Sequence, residues 1–282
     1  MKTKIYSVFI FFIILTLTVN AQKQKQIVVS NVKELLKAIS SDTHIKLKKG
    51  TYNISNADKT KNPCIKWENV EVIDWGPAGN EPIISRVKNL FIEGEDSAMI
   101  VINPRLARVL VFDSCSNIQL KNLIIGHTDG GVCQGSVTDF SNCSNITIDR
   151  CILFGSGSEG TVIDGTDNFK FLNSSIQNCS YDLMGINNSS NILFDNDSLQ
   201  NSGGINHLIS IYSSQNVKFD KCIIKGNVNG TITTYLIYVV KSKEVSLDNS
   251  SIIDNKVDYF TNYYELDKKT NTFSGNSFGN NK

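Results

Sequence analysis

The chain of 282 residues carries 28 basic and 27 acidic side chains, so its net charge gives it no general attraction for nucleic acid or an anionic membrane surface. Hydrophobic residues make up 40% of the sequence and only four residues are proline, which excludes a disordered or proline-rich linker protein. We therefore expect a folded protein with a substantial core and no nucleic acid among its partners.

The first 21 residues predict a secretory signal peptide that is not part of the fold. Two lysines precede an apolar run from Val8 to Leu17, and Val19 and Ala21 place small side chains at the cleavage positions. The alternative is a membrane anchor, but an anchor needs about 20 apolar residues and this run is shorter. The remaining residues, 22–282, are predicted to form a single secreted or extracytoplasmic domain (periplasm or cell surface), with no membrane span after signal cleavage.

A short pattern recurs along the chain at intervals of 23 to 28 residues, as in SNITIDRCIL from Ser144. Each copy begins with an anchor residue, and the anchors are Asn89, Asn117, Asn145, Asn168, Asn191, Asn216 and Glu244. Apolar side chains stand one and three positions after each anchor with polar residues between them, which is the period of a half-buried strand. Each unit holds about three short apolar stretches and none with the length and spacing of a helix, so a sheet of βαβ units is excluded.

A unit of this length cannot bury its apolar side chains alone, whereas coaxial stacking aligns equivalent residues into continuous interior rows. The repeat resembles that of right-handed parallel β-helix proteins of the pectate-lyase-like superfamily, strongly from Asn89 to Ile252 and more loosely beyond. The resemblance implies an all-β solenoid of about seven coils and an asparagine ladder whose side-chain amides hydrogen-bond from coil to coil. The alternative explanation of the asparagines is turn propensity, since Asn tolerates the left-handed conformation.

Both ends of the solenoid are predicted to carry caps. Apolar residues at helical spacing from Val32, preceded by Asn31, predict a short capping helix within an N-terminal cap at about residues 27–60. Such a helix would shield the unpaired strand edges of an open end. The aromatic and irregular segment at about residues 256–282 predicts a last partial coil with a C-terminal cap.

Two of the seven cysteines test the repeat independently. Cys115 and Cys143 stand two positions before successive anchors, so stacking would bring their backbones about 5 Å apart, within disulfide range. A disulfide and a pair of free thiols acting as small apolar fillers are both open interpretations. The three histidines are scattered and no CxxC pair occurs, so we predict no zinc site.

One set of polar residues aligns only after stacking. Nine positions before successive anchors stand Arg108, Ser136, Glu159, Asp182, His207 and Tyr235. Two carboxylates about 5 Å apart repel each other when both are ionised, which raises the pKa of one and suits acid–base catalysis. Glu159, Asp182 and His207 are therefore candidate catalytic residues, and Arg108 and Tyr235 are candidate substrate contacts. The alternative is a row of ordinary polar turn residues, and the sequence does not decide which way this row faces.

The longest candidate loop, from Ile124 to Phe140, is rich in glycine and carries two further candidate substrate contacts, His127 and Asp139. The alternative is a solvated excursion without a binding role. Asp113, Asp139 and Asp164 lie on adjacent outward positions of three successive coils. They are candidates for binding Ca²⁺, which prefers carboxylate oxygens, or they simply keep the strand surface soluble. No other cofactor is predicted.

The sequence lacks the catalytic motifs of the families it resembles. Pectate lyases carry Arg-x-Pro-x-x-Arg and Trp-Ile-Asp-His, and polygalacturonases carry Asn-Thr-Asp and Gly-His-Gly, whereas Gly126 and His127 are followed here by Thr128. No reaction can be carried over, and whether the protein is an enzyme stays open.

Two functions remain as hypotheses. The first is binding or cleavage of an extracellular polysaccharide, the latter as a polysaccharide lyase or glycoside hydrolase, which several tyrosines favour because aromatic rings form sugar-binding platforms. The second is a non-catalytic surface or structural scaffold that displays loops to a partner, which the scarcity of tryptophan favours. The sequence predicts no oligomeric state.

Overall fold

The computed structural model describes residues 24–57, 64–67, 69–74, 80–96, 98–131, 134–205, 207–229, 234–266 and 269–279. The predicted signal peptide at residues 1–21 lies outside them. Among the described residues, no helix has both the length and the apolar character needed to cross a bilayer.

The described strands form three long sheets along the stack and a fourth, small sheet at its C-terminal end. The first sheet contains Lys25–Val29, Thr43–Leu47, Lys88–Gly94, Ser116–Lys121, Ser144–Asp149, Asp167–Leu172, Ser190–Asp195, Gln215–Asp220 and Lys243–Asp248. The second contains Gly50–Asn53, Ala98–Ile102, Ile124–His127, Ile152–Phe154, Ser175–Gln177, Ser198–Gln200, Ile223–Lys225, Ser251–Ile253 and Thr272–Ser274. The third contains Cys64–Trp67, Val70–Asp74, Asn80–Ser85, Leu110–Asp113, Thr138–Ser141, Thr161–Asp164, Met184–Asn187, Ile209–Tyr212, Tyr235–Val240 and Tyr259–Thr261. The small fourth sheet contains Gly203–Gly204, Val228–Asn229, Lys256–Val257 and Ser277–Phe278.

Successive coils pair in parallel and in the register of the sequence repeat. Ile118 lies opposite Ile146, and Ile146 lies opposite Phe169 on the following coil. Stacking in this register builds continuous interior columns, such as the rings of Phe194 and Phe219, whose centroids are 4.9 Å apart. The prediction of an all-β parallel solenoid of about seven coils is confirmed. Antiparallel pairs occur where Val70–Asp74 joins its two neighbours in the third sheet.

The anchor residues form a corner of every coil. All seven adopt the left-handed conformation, with φ between 52° and 58°. Their side chains also bond from coil to coil: Asn117 donates to the Oδ1 of Asn89 at 2.8 Å, and Asn216 donates to that of Asn191 at 2.7 Å. The two explanations of the recurring asparagine are therefore both correct, since this residue tolerates the corner and an amide both donates and accepts.

The two ends of the stack differ from each other. The predicted capping helix spans Val32–Ala38, and the side chain of Asn31 accepts the backbone N–H of Glu34 at 3.0 Å. Leu35 and Leu36 of this helix are buried in the core. At the other end, strands continue to Ser277–Phe278, so the described part of the predicted C-terminal cap extends the sheets.

Polar side chains also line the interior at corners between sheets. One such interior row consists of Cys151, Ser174, Asp197, Cys222, Ser250 and Asn271. The backbone N–H of Cys151 donates to the Oγ of Ser174 at 2.9 Å, and that of Ser174 donates to the Oδ1 of Asp197 at 2.8 Å. Ser174, Asp197, Ser250 and Asn271 thus each accept a buried corner N–H of the preceding coil, which the ladders of the sheets leave unpaired.

Asp197 is the acidic member of this interior row. It is only 2% exposed, and its Oδ2 atom has no hydrogen-bond partner among the described residues. Burial raises the pKa of Asp197 to about 8, against the opposing effect of the Ser174 N–H. The carboxyl group is therefore protonated at neutral pH, whereas an unfolded aspartate titrates near pH 4.

We predict that Asp197→Asn stabilises the protein in alkaline solution. Between about pH 4 and pH 8 the folded chain holds a proton that the unfolded chain has released, so the stability of the wild type falls as the pH rises through this window. Asparagine stays neutral and already occupies this row at Asn271. At pH 9 the variant should melt at least about 5 °C above the wild type. Asp195→Asn, on the outward side of the same coil, should change the melting temperature little; equal melting of Asp197→Asn and wild type would contradict the burial of an acid.

Candidate functional site

The outer face of the third sheet presents three rows of side chains. The first row is the set aligned by sequence, and backbone bonds confirm its register: Val137 N–H donates to the Glu159 carbonyl at 3.1 Å and Gly160 N–H donates to the Asp182 carbonyl at 3.2 Å. The second row contains Val111, Asp139, Val162, Gly185, Ser210 and Tyr238. The third contains Asp113, Ser141, Asp164, Asn187, Tyr212 and Val240.

The first row reaches the surface. Glu159, His207 and Tyr235 are half-buried, and Asp182 is 8% exposed. The row also continues beyond its predicted end, because Tyr259 pairs in register with Tyr235. The structure therefore brings the three candidate catalytic residues onto neighbouring coils of one outer face, and their catalytic role stays a prediction.

At the N-terminal end of this face, Arg108 is held by two acids. It donates through Nη2 to Glu81 Oε1 at 2.6 Å and through Nη1 to Asp139 Oδ2 at 2.8 Å. Burial disfavours the charged guanidinium, but the hydrogen bonds and charges of the two carboxylates outweigh it and raise the pKa of Arg108. Arg108 and Asp139, both predicted to bind substrate, thus bind each other, and sequence reasoning missed Glu81 because it precedes the first anchor.

His127 occupies a position that does not fit its predicted role. The side chain is 2% exposed, and its Nε2 atom lies 2.7 Å from the Ala107 carbonyl oxygen, to which it donates. Burial lowers the pKa of His127 to about 4, so the imidazole is neutral at ordinary pH. The prediction of a substrate contact at His127 is corrected to an interior histidine, because His127 ends the strand Ile124–His127 and its ring is buried against the Ala107 carbonyl.

The calcium candidates are separated in the register of the sheet. Asp113 and Asp164 both lie opposite Ser141, on either side of it. Asp139 stands two residues before Ser141, accepts its hydroxyl at 3.0 Å and is paired with Arg108. In the part of the chain that the structure describes, no three His, Cys, Asp or Glu side chains are grouped as metal ligands. Calcium binding stays a prediction without added support.

Cys115 and Cys143 are neighbours, as the stacking predicts, because Ser144 N–H donates to the Cys115 carbonyl at 3.0 Å. Both are nevertheless free thiols, so the disulfide interpretation is corrected. Each sulfur points at a carbonyl of the preceding coil: Cys115 Sγ lies 3.4 Å from the Ile84 oxygen, and Cys143 Sγ lies 3.5 Å from that of Phe112. The two thiols act as small fillers of an interior corner.

The C-terminal end of the outer face carries the tyrosine cluster, which consists of His207, Tyr212, Tyr235, Tyr238 and Tyr259. The ring centroids of His207 and Tyr238 are 3.8 Å apart, and those of Tyr235 and Tyr259 are stacked at 4.8 Å. Tyr212 joins the edge of Tyr238 at 5.9 Å and is 36% exposed. The cluster is a half-exposed aromatic surface across three coils.

The cluster and the first row overlap, because His207 and Tyr235 belong to both. The Nδ1 atom of His207 accepts the backbone N–H of Tyr235 at 3.3 Å, which places the proton of the neutral ring on Nε2. The pKa of Tyr212 is raised by burial and by the charges of Tyr238 and Asp182, so the Asp182 carboxylate lies within electrostatic reach of the cluster. Acid, imidazole and aromatic rings therefore share one surface.

Comparison with known proteins agrees with this architecture. Residues 136–282, just over half of the chain, match the family model described as a right handed beta helix region. The chain belongs to the right-handed β-helix family. No curated protein matches the sequence of this β-helix.

Solved structures share its fold at low sequence identity. A pectin methylesterase from Aspergillus niger is 13% identical, with a TM-score of 0.56 over 93% of this chain and 87% of its own. The pectate lyase Pel9A is 11% identical, with a TM-score of 0.54 over 85% of this chain and 73% of its own. A pectate lyase, pelN, from Paenibacillus sp. 0602 is 10% identical, with a TM-score of 0.51 over 89% of this chain and 76% of its own. Similarity at this level shows a common fold.

We predict that Arg108→Met destabilises this β-helix because it leaves the carboxylates of Glu81 and Asp139 buried without a counter-charge. Their side chains are only 7% and 10% exposed, and loss of one partner from such a group costs about 3 kcal/mol. Thermal unfolding at pH 7 should show the loss as a lower melting temperature. Arg150→Met, at a side chain 54% exposed, is the matched control and should change stability little. Equal melting of the two variants at pH 7 would show that Arg108 is not a structural residue.

Proposed function

We propose that this protein binds polysaccharide along the outer face of its third sheet, with the tyrosine cluster as the contact surface for sugar rings. The observation that carries the proposal is the cluster itself, five rings on three neighbouring coils with Tyr212 36% exposed. Packing of the solenoid does not require outward aromatic rings. The apolar C–H face of a sugar stacks on such rings, while its hydroxyl groups bond to the polar atoms around them.

The geometry of the stack favours a polymer as the ligand. Equivalent side chains on successive coils repeat about every 4.8 Å, so a chain lying along the solenoid axis meets a similar surface at each step. The cluster and the acidic members of the first row lie along this same direction, from Tyr259 through Tyr235 and His207 to Asp182 and Glu159. Solved β-helix structures include pectate lyases and a pectin methylesterase, whose names refer to pectic substrates. This shared fold supports a polysaccharide as the ligand.

Glu159, Asp182 and His207 are the proposed acid–base groups if the bound polymer is cleaved. They occupy neighbouring coils beside the cluster, with Asp182 buried and Glu159 half-buried. A partly buried carboxyl next to a second carboxyl is suited to holding a proton, and His207 is suited to exchanging one. Secretion, which a polysaccharide ligand outside the cell would require, is part of the same proposal and rests on the predicted signal at residues 1–21.

Binding is tested by affinity gel electrophoresis of the wild type, Tyr238→Ala and Tyr264→Ala in gels with neutral and acidic polysaccharides. Tyr238 touches three other rings of the cluster, so its loss should weaken binding about tenfold, equivalent to about 1.4 kcal/mol. Tyr264 is 91% exposed and contacts Tyr263 outside the cluster, so Tyr264→Ala should bind like the wild type. Failure of the wild type to be retarded by any polymer would refute the binding function and favour a display scaffold.

Cleavage is tested by following reducing ends and the ultraviolet absorbance of unsaturated products from polymers that the wild type binds. Asp182→Asn should lower turnover at least about 100-fold while the variant still binds the polymer, since the amide cannot transfer a proton but keeps an oxygen that accepts sugar hydroxyl groups. Asp164→Asn is the matched control, because Asp164 lies on the same face and accepts from Asn188 at 2.9 Å. Absence of turnover by the wild type, or equal turnover by both variants, would refute the catalytic assignment and leave the binding function untouched.

A further inference from the structure

Available cations are scarce on the outer face. Among the described residues of its three rows, Arg108 is the one lysine or arginine, and Glu81 and Asp139 already neutralise it. Outside the three rows, Lys241 lies at the exposed corner directly after Val240, and Arg105 donates to the Ser180 hydroxyl at 2.6 Å and to the Gly131 carbonyl at 2.8 Å. The face therefore offers no arginine fork or lysine row to a carboxylated sugar.

Acidic side chains border the tyrosine cluster on both sides. Asp182 precedes His207 in the first row, and its charge reaches Tyr212. Asp258 is adjacent to Tyr259, and its Oδ2 atom accepts the backbone N–H of Thr234 at 2.9 Å. The buried Asp182 and the half-buried Asp258 therefore place negative charge near each end of the cluster.

We infer that the tyrosine cluster selects uncharged glycan chains over carboxylated ones. This inference rests on the proposed polysaccharide-binding function and specifies its substrate class. A uronate carboxylate brought against the rings would lose its hydration and be repelled by Asp182 and Asp258. Hydroxyl groups of a neutral sugar instead donate to these carboxylates while the ring stacks on the tyrosines. The chemistry of the face thus differs from that required for a polyuronate.

The test compares polymers that share a backbone and differ in carboxylate content. Two such pairs are hydroxyethyl cellulose with carboxymethyl cellulose, and fully methyl-esterified pectin with polygalacturonate. In affinity gels at low salt the wild type should bind the uncharged member of a pair about tenfold more tightly. Added NaCl should narrow this difference by screening the repulsion, with little effect on the uncharged polymer.

Gly185→Arg is a variant designed to change this preference. Gly185 lies on the second row between Val162 and Ser210. A Cβ atom added there would have the side-chain Nδ2 atom of Asn187 as its nearest neighbour, at 3.8 Å. An arginine there fits the strand and adds a cation beside Asp182, so it should reduce the preference for the uncharged polymer several-fold. Gly185→Gln, similar in length without the charge, is the control and should keep the preference.

The outcomes separate this inference from the function on which it rests. Tighter binding of the uncharged polymer, reduced by Gly185→Arg but not by Gly185→Gln, is the expected result. Equal or tighter binding of carboxymethyl cellulose or polygalacturonate would overturn the selectivity and leave the binding function standing. No retardation by any of the four polymers, in gels where Tyr238→Ala and the wild type also migrate alike, would overturn both.

Discussion

In-register hydrogen bonding between coils is the constraint on which the rest of this structure depends. Each strand pairs with the equivalent strand of the next coil, so side chains at equivalent positions of successive coils lie side by side in a row. A row of apolar residues becomes a continuous core, as with Phe194 and Phe219. A row of asparagines forms amide hydrogen bonds between pairs of neighbouring coils, and each of these residues also tolerates the left-handed corner.

The same constraint governs the polar interior. A sharp corner turns a backbone N–H away from the sheet ladders, and burial of this group without a partner would be costly. Ser174 and Asn271 supply the missing acceptor from the neighbouring coil. Asp197 supplies it too, but the second carboxyl oxygen then stays buried, which explains why burial raises the pKa of Asp197 to about 8. A row tolerates one chemically mismatched member because its neighbours keep the corner in register.

The sequence was sufficient to predict the fold because the anchors and the period-two apolar positions are strictly local signals. It also aligned Glu159, Asp182 and His207 correctly, since stacking converts equal sequence offsets into spatial proximity. Whether the side chains of this row point outward or inward was not predictable. The alternation of apolar and polar residues breaks at the corner before each strand of the third sheet. Glu81 was missed because its strand, Asn80–Ser85, joins the antiparallel insertion rather than an anchored unit.

The other misjudged residues depend on contacts that spacing does not encode. The register brought Cys115 and Cys143 together, but spacing does not encode whether two neighbouring thiols bond covalently, and here both are free and lie against carbonyl oxygens of the preceding coil. His127 lies in a glycine-rich segment whose composition predicts an exposed loop, but its imidazole is buried and donates a hydrogen bond to the Ala107 carbonyl. Tyr259 lies past the last anchor, where no repeat unit marks its alignment with Tyr235.

The distribution of charge along the outer face follows from the same stacking rule. At its N-terminal end Arg108 is placed between Glu81 and Asp139, so one cation pairs with two acids over adjacent coils. Toward the C-terminal end the equivalent positions change to Asp182, His207, Tyr235 and Tyr259, and no arginine recurs in the row. Since the fold requires only that these outward positions be compatible with the coil below, their composition is free to serve a ligand. The switch from an ion-paired end to an aromatic and acidic end therefore marks the part of the face where packing alone does not account for the residues present.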